Sequence, residues 1–318
     1  MKTFDEIYEE LQNVNNNGLD DAWKEAKKED AKTKKITVTI CLIIDILAGI
    51  MFFKNIIKAV SVFSLLPFII MIFTINMFVF VIINIIFSKN KSLYNLKFKK
   101  EVINRIMDNF YDNLEYFPQK PMPEYIYKRI EYEDYNEYES DDYFEAQIDN
   151  KYSIQMAEIL TVEQKTYTDS NGDEKIERET KFHGLFAKII MDKSINGELR
   201  IMQNGAMILE KNRLKMDSSE FEKYFDVESS DQIVGMQLLT ADVMEELIEF
   251  ENKTNMKFDI FIKDNELYLR FHSGEMFEAG NLKNGALDKE TIQKYFYMLN
   301  FTYNLSKRLI NLVDETQI

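Results

Sequence analysis

The stretch IQMAEILTVEQKTY (residues 154–167), followed by DSNGD (169–173) and KIERETKFHGLFAKIIM (175–191), decides how this chain folds. The two longer segments mix β-branched and aromatic residues in partial alternation, the pattern of strands with two unlike faces. Asn171-Gly172 between them is the strongest short signal for a tight antiparallel turn. The stretch predicts a long β-hairpin.

Working towards the C-terminus, a second turn at Ser194–Gly197 leads into a strand over Glu198–Gln203, which completes an antiparallel meander. Ser218–Tyr224 reads as a helical turn with Ser218 or Ser219 as its cap, and Asp226–Leu239 reads as strand-like. Thr240 is expected to cap a helix over Ala241–Glu251. Lys257–Ile262 and Leu267–Phe271 form a second hairpin around Asp264-Asn265, and Met276–Glu278 reads as one more strand. A long helix is expected from Lys289 to Val313, capped by Asp288. Ile292, Tyr295, Phe296, Leu299, Tyr303, Leu309 and Val313 share its apolar face.

Working towards the N-terminus, residues 131–145 alternate acids with Tyr132, Tyr135, Tyr138 and Tyr143, and read as a solvated loop or edge strand. A short helix is expected over Glu124–Tyr132. Tyr116–Pro123 holds three of the four prolines and reads as a linker, and residues 88–116 as a helix. The class is α+β.

Two apolar runs precede all of this. Residues 36–53 are long enough for roughly 27 Å of helix. Residues 62–87 carry no charge over 26 positions. Both are expected to cross a membrane. Pro67 is placed to kink the second helix or to open its first turn. Lys24, Lys27, Lys28, Lys32, Lys34 and Lys35 precede the pair and Lys89, Lys91, Lys97, Lys99 and Lys100 follow it, whereas the connecting loop at about 54–61 holds Lys54 and Lys58 alone. That asymmetry predicts a cell-membrane hairpin with both termini cytoplasmic. Asp45 falls midway along the first run. It is expected to meet Asn76 or Thr74 across the hairpin, or a second copy of the chain, because a lone carboxylate in hydrocarbon is costly. The division expected is a cytoplasmic helical tail (1–35), the transmembrane hairpin (36–87), an exit helix and linker (88–123) and an acidic cytoplasmic α+β domain (124–318). In the tail, Thr3 and Glu6 have capping-box spacing. Asn15–Gly18 breaks that helix, and a second one from Leu19 runs into the first span.

Of the net charge of −15, residues 1–35 contribute −2 and residues 36–87 contribute +1, which leaves −14 for residues 88–318. So acidic a domain repels phosphate backbones, which argues against nucleic acid as a partner. The single cysteine, Cys41, rules out an internal disulfide and a zinc ribbon. The two histidines, His183 and His272, lie in different expected strands. No phosphate loop and no G-x-S-x-G elbow occurs, so no catalytic residue, cofactor or metal ligand is assigned.

One region carries a family resemblance. Glu220-Phe221-Glu222-Lys223-Tyr224-Phe225-Asp226-Val227, then Asp231-Gln232, then Leu238-Leu239-Thr240, resembles the bacterial family called domain of unknown function 3137. Phe182-His183-Gly184-Leu185-Phe186 is similar to that family's F-x-G-x-F element. The family resemblance implies paired N-terminal spans. Genes of that family often accompany those of LemA-type membrane proteins, which implies a membrane-protein partner. Read physically, Phe221 and Phe225 anchor a core from one helical face, and Asp231 and Gln232 close a turn into the next strand. The other reading has Asp231, Gln232 and Thr240 lining a ligand groove. The function expected is a membrane-anchored interaction or scaffold module. The alternatives are a membrane-bound hydrolase using carboxylates and a subunit of an oligomeric channel or transporter.

Overall fold

A computed structural model describes residues 1–14, 18–56, 66–86, 89–168, 172–205 and 212–315. The chain forms two compact units. One comprises Met1–Ile7, Val102–Glu278 and Glu290–Ile318; the other comprises Tyr8–Glu101 and Ala279–Lys289.

The second unit is helical. Helix α1 (Phe4–Val14) leads into it and starts with the expected capping box: Thr3 N donates to Glu6 Oε2 at 2.7 Å and Glu6 N to Thr3 Oγ1 at 3.4 Å. Helix α2 runs unbroken from Leu19 to Ile56 and packs against α3 (Leu66–Ile86) and α4 (Lys89–Phe98). Polar ties hold the α2 and α4 ends. Asn90 N donates to Glu29 at 2.9 Å, Trp23 Nε1 to the Leu282 carbonyl at 3.0 Å, and Tyr94 Oη to the Ala286 carbonyl at 3.0 Å. The runs expected to span a membrane fall largely within α2 and α3. Among the described residues no helix is long and apolar enough to cross a membrane. The expected break at Asn15–Asn17, most of the connecting loop (57–61) and both ends of the second run (62–65 and 87) lie outside the described residues.

The first unit is built on a sheet. A π-helical turn (Lys99–Ile103) and α5 (Asn104–Asp108) lead into β1 (Asp112–Phe117). The helix expected to reach residue 116 therefore ends at Asp108, and the sheet begins inside the stretch read as helix and linker. Then come α6 (Glu124–Lys128), β2 (Glu137–Ile148), β3 (Tyr152–Thr168), β4 (Glu174–Ile190), β5 (Glu198–Gln203), β6 (Arg213–Leu214) and a 3-10 turn over Phe221–Lys223. These are followed by β7 (Phe225–Ser229), α7 (Gln232–Leu238), α8 (Ala241–Thr254), β8 (Phe258–Lys263), β9 (Glu266–Phe271) and α9 (Lys289–Glu315). The nine described strands form one antiparallel sheet in the order β1-β2-β3-β4-β9-β8-β5-β7-β6. β1 to β4 make a meander, but the expected step from β4 to β5 is not made: β4 pairs with β9, and β5 with β8 and β7. The β8–β9 hairpin then inserts between β4 and β5. The turn expected at Asp169–Asn171 lies outside the described residues, but the strands on either side pair from Ile154↔Ile189 to Thr168↔Glu174.

Both faces are covered over the middle of the sheet, where the residues of β8 and β9 are almost all buried. On one face, Phe250 of α8 and Phe301 of α9 stack at 3.6 Å and meet Phe258 of β8 and Phe271 of β9. The apolar stripe read on α9 is this docking face: Ile292, Tyr295, Phe296, Leu299, Tyr303, Leu309 and Val313 are all buried. On the other face, Met122, Ile126 and Tyr127 pack with Ala157, Ile159, Phe182, Phe186, Phe261 and Tyr268.

Three expectations are corrected. Residues 131–145 are neither a free loop nor an edge: β2 lies between β1 and β3, and Tyr132, Tyr135 and Tyr138 pack on the core. Asp226–Leu239 is not one strand but β7 followed by α7, because the Asp231 carboxylate accepts from Ile233 N at 3.0 Å and Val234 N at 3.3 Å and starts a helix there. Met276–Glu278 is a loop, and Met276 and Phe277 are fully buried in it.

Candidate functional site

The β8–β9 hairpin puts Asp259 directly opposite Arg270, away from the second charged pair of the two strands, Lys263 and Glu266 at the turn. Strand alternation points both towards the face that carries α6. Arg270 is wholly buried. Its guanidinium lies 4.4 Å from the Phe182 ring, 4.8 Å from Tyr132 and 5.7 Å from Tyr127. These are cation–π distances in a dry setting. Nη2 donates to Glu133 Oε2 at 2.8 Å, and Nη1 is 3.7 Å from Asp259 Oδ2.

Glu133 reaches the site from the segment between α6 and β2. Its Oε1 also accepts from Tyr127 Oη at 2.6 Å and from Thr161 Oγ1 at 2.9 Å. Asp259 Oδ2 lies 3.0 Å from His272 Nε2, and Asp259 Oδ1 accepts from Gln203 N at 3.2 Å. His272 sets its ring edge-on to Phe182. Burial pushes the Arg270 pKa down, but Tyr127, Asp259 and Glu133 more than offset it, so the guanidinium stays charged. Burial, and to a smaller degree Asp259, pushes Tyr132 up to about 12. Arg270 Nε and Nη1 have no hydrogen-bond partner among the described residues. The network is an aromatic-walled charge cluster that ties α6, β3, β4, β8 and β9 together.

A second ionic group lies on the same face. Glu266 accepts from Lys188 Nζ at 2.6 Å and Arg129 Nη2 at 2.9 Å, and from Tyr268 Oη. Burial raises its pKa, but these three donors outweigh burial and hold the carboxyl at about 2.

Asp141, Asp142 and Glu158 also converge, with carboxylate oxygens within 4.8 Å of one another, a spacing that suits a hard cation. Protein donors already serve the cluster: Tyr116 Oη donates to Asp142, and Met276 N to Glu158 Oε2 at 2.8 Å.

A concave surface lies along α8 and α9, with adjoining cavities of about 600 and 480 Å³ that share Phe250, Lys253, Thr254 and Tyr297.

The residues singled out from sequence do not assemble into one site. Asn76 Nδ2 donates to Asp45 Oδ1 at 2.8 Å between α3 and α2, while Thr74 turns back to the Met71 carbonyl. Phe221 and Phe225 are buried and stacked at 5.0 Å, but from a 3-10 turn and a strand rather than from one helical face. Asp231 caps α7 instead of closing a turn into a strand, and Gln232 is an exposed first-turn residue of that helix. Thr240 sits at the N-cap of α8, but its hydroxyl bonds Asp242. Arg270, Glu133 and Asp259 were missed. The available signal was a pair of opposite charges at matching positions of two apolar strands.

These features define an α+β protein built on one antiparallel sheet whose middle is buried on both faces. Residues 180–310 match the family model described as "Protein of unknown function (DUF3137)", which supports membership of that family. No curated protein matches it. Among solved structures, the crystal structure of the mycobacterial trehalose monomycolate transport factor A, TtfA, is similar at 7% identity and a TM-score of 0.34, covering 61% of this chain and 88% of that one. A likeness at that score carries no argument about what this chain does.

Proposed function

We propose that the chain is a membrane-anchored interaction module. In this reading α2 and α3 insert as a hairpin, both termini are cytoplasmic, and the sheet-based unit engages a membrane-protein partner of the LemA type. One observation carries the reading: many of the described apolar side chains of both helices point outward. Phe73 and Phe78 are each 67% exposed and Ile85 70% on α3, and Ile46 is 62% exposed on α2. Two apolar flanks of that extent need lipid or protein against them. The uncharged run of 62–87 is longer than its described part, and the lysine collars on either side support the orientation.

The test is made in membranes of the expressing cell. The protein is expected to stay with the membrane through alkaline carbonate. In a Cys41→Ser background, Lys58→Cys is expected to react with an impermeant maleimide from outside and Lys91→Cys only after permeabilisation. Release by carbonate, or the reverse labelling pattern, rejects the anchor. Crosslinking in intact cells is expected to recover a specific integral membrane protein.

A further inference from the structure

We propose that two copies of the chain pair along α2, with the Asp45 carboxyl of each meeting its counterpart and the neighbouring Asn76 amide across a two-fold axis. This rests on the membrane anchor proposed above.

Asp45 faces out of the hairpin. It is exposed, among Leu42, Ile43 and Ile46, which are themselves more than half exposed. Asn76 Nδ2 meets one of its oxygens at 2.8 Å and leaves the outer side of the carboxyl open. Asp45 is the sole charged residue in 36–53 and 62–87, so neither run supplies a cation for it. An outward carboxyl at that depth is costly against lipid and is relieved by hydrogen bonds from another helix.

A second copy supplies that helix without further assumption, since a two-fold axis along the membrane normal sets identical groups at the same depth. Backbone access agrees. Gly49 lies one turn beyond Asp45 on the same face, and a Cβ there would meet nothing within 4 Å, so another α2 has room to approach closely. Cys41 lies one turn before Asp45 on that face and is a free thiol, which gives the native chain its own reporter.

Full-length protein in native membranes is oxidised with copper phenanthroline and run without reductant. Wild type is expected to form a covalent dimer through Cys41, and the Gly49→Cys, Cys41→Ser variant through position 49. Asp45→Leu is expected to lower the dimer at least five-fold, whereas Asp45→Asn, which keeps a hydrogen-bonding group, stays within two-fold of wild type. The same membranes are washed with carbonate. Release overturns the anchor and the pairing with it. Retention with no dimer at either cysteine, or with Asp45→Leu dimerising like wild type, overturns the pairing alone.

Discussion

At Gly184 a Cβ would sit 1.9 Å from the Phe271 carbonyl oxygen and 2.7 Å from Ser273 N, closer than any side chain tolerates. The glycine exists because β4 and the end of β9 approach there backbone to backbone. Phe182 and Phe186, two residues to either side, fill the core beneath α6. The F-x-G-x-F element is thus a packing device, two rings with a gap between them. Gly184→Ala is expected to force the strands apart and cost roughly 2–4 kcal/mol. The urea midpoint measures this, and an unchanged midpoint refutes the close approach. Asp231 gives the same lesson at a helix start: its carboxylate serves two backbone N–H groups.

Among the elements, the β8–β9 hairpin matters most, because it carries a buried charge into the middle of the sheet. Arg270 neutralises Glu133 and stands against Asp259, and three aromatic rings exclude water from it. Arg270→Ala strands two carboxylates in a dry site. The expected loss is about 3–5 kcal/mol, the usual cost of removing one partner from a buried ion pair. Arg270→Lys is expected to recover part of it only, since an ammonium lacks the planar fork and stacks poorly. Thermal unfolding of the three proteins checks the order wild type, Lys, Ala; a Lys variant as stable as wild type rejects the role given to the fork and the rings. The acid–tyrosine stretch shows how context reverses a local reading. Residues 131–145 look solvated by composition, yet Glu133 and Tyr132 lie against a buried guanidinium.

At the scale of the molecule, an acidic chain of net charge −15 depends on its paired carboxylates when the pH falls. Glu266, held at about 2, has a folded pKa below its unfolded value of about 4.3. Its contribution is therefore fully present above the unfolded value and is lost as pH falls from there through about 2. Glu266→Gln is expected to lower the urea midpoint at neutral pH and to flatten its decline below pH 4.3 relative to wild type. Equal slopes in both proteins discard the assignment. By itself the sequence determined whatever depends on near neighbours. The β3–β4 hairpin, the apolar stripe of α9, the capping box at Thr3 and Glu6 and the uncharged run of 62–87 are all periodicities or short motifs, and physics couples such residues within a few positions. Tertiary structure alone decided the rest. α7 replaced an expected strand because the Asp231 cap overrode the β-branched composition that follows it. The Arg270 network joins Glu133 to a partner 137 positions away. No local pattern encodes that distance; it is set by the order in which the strands lie beside one another.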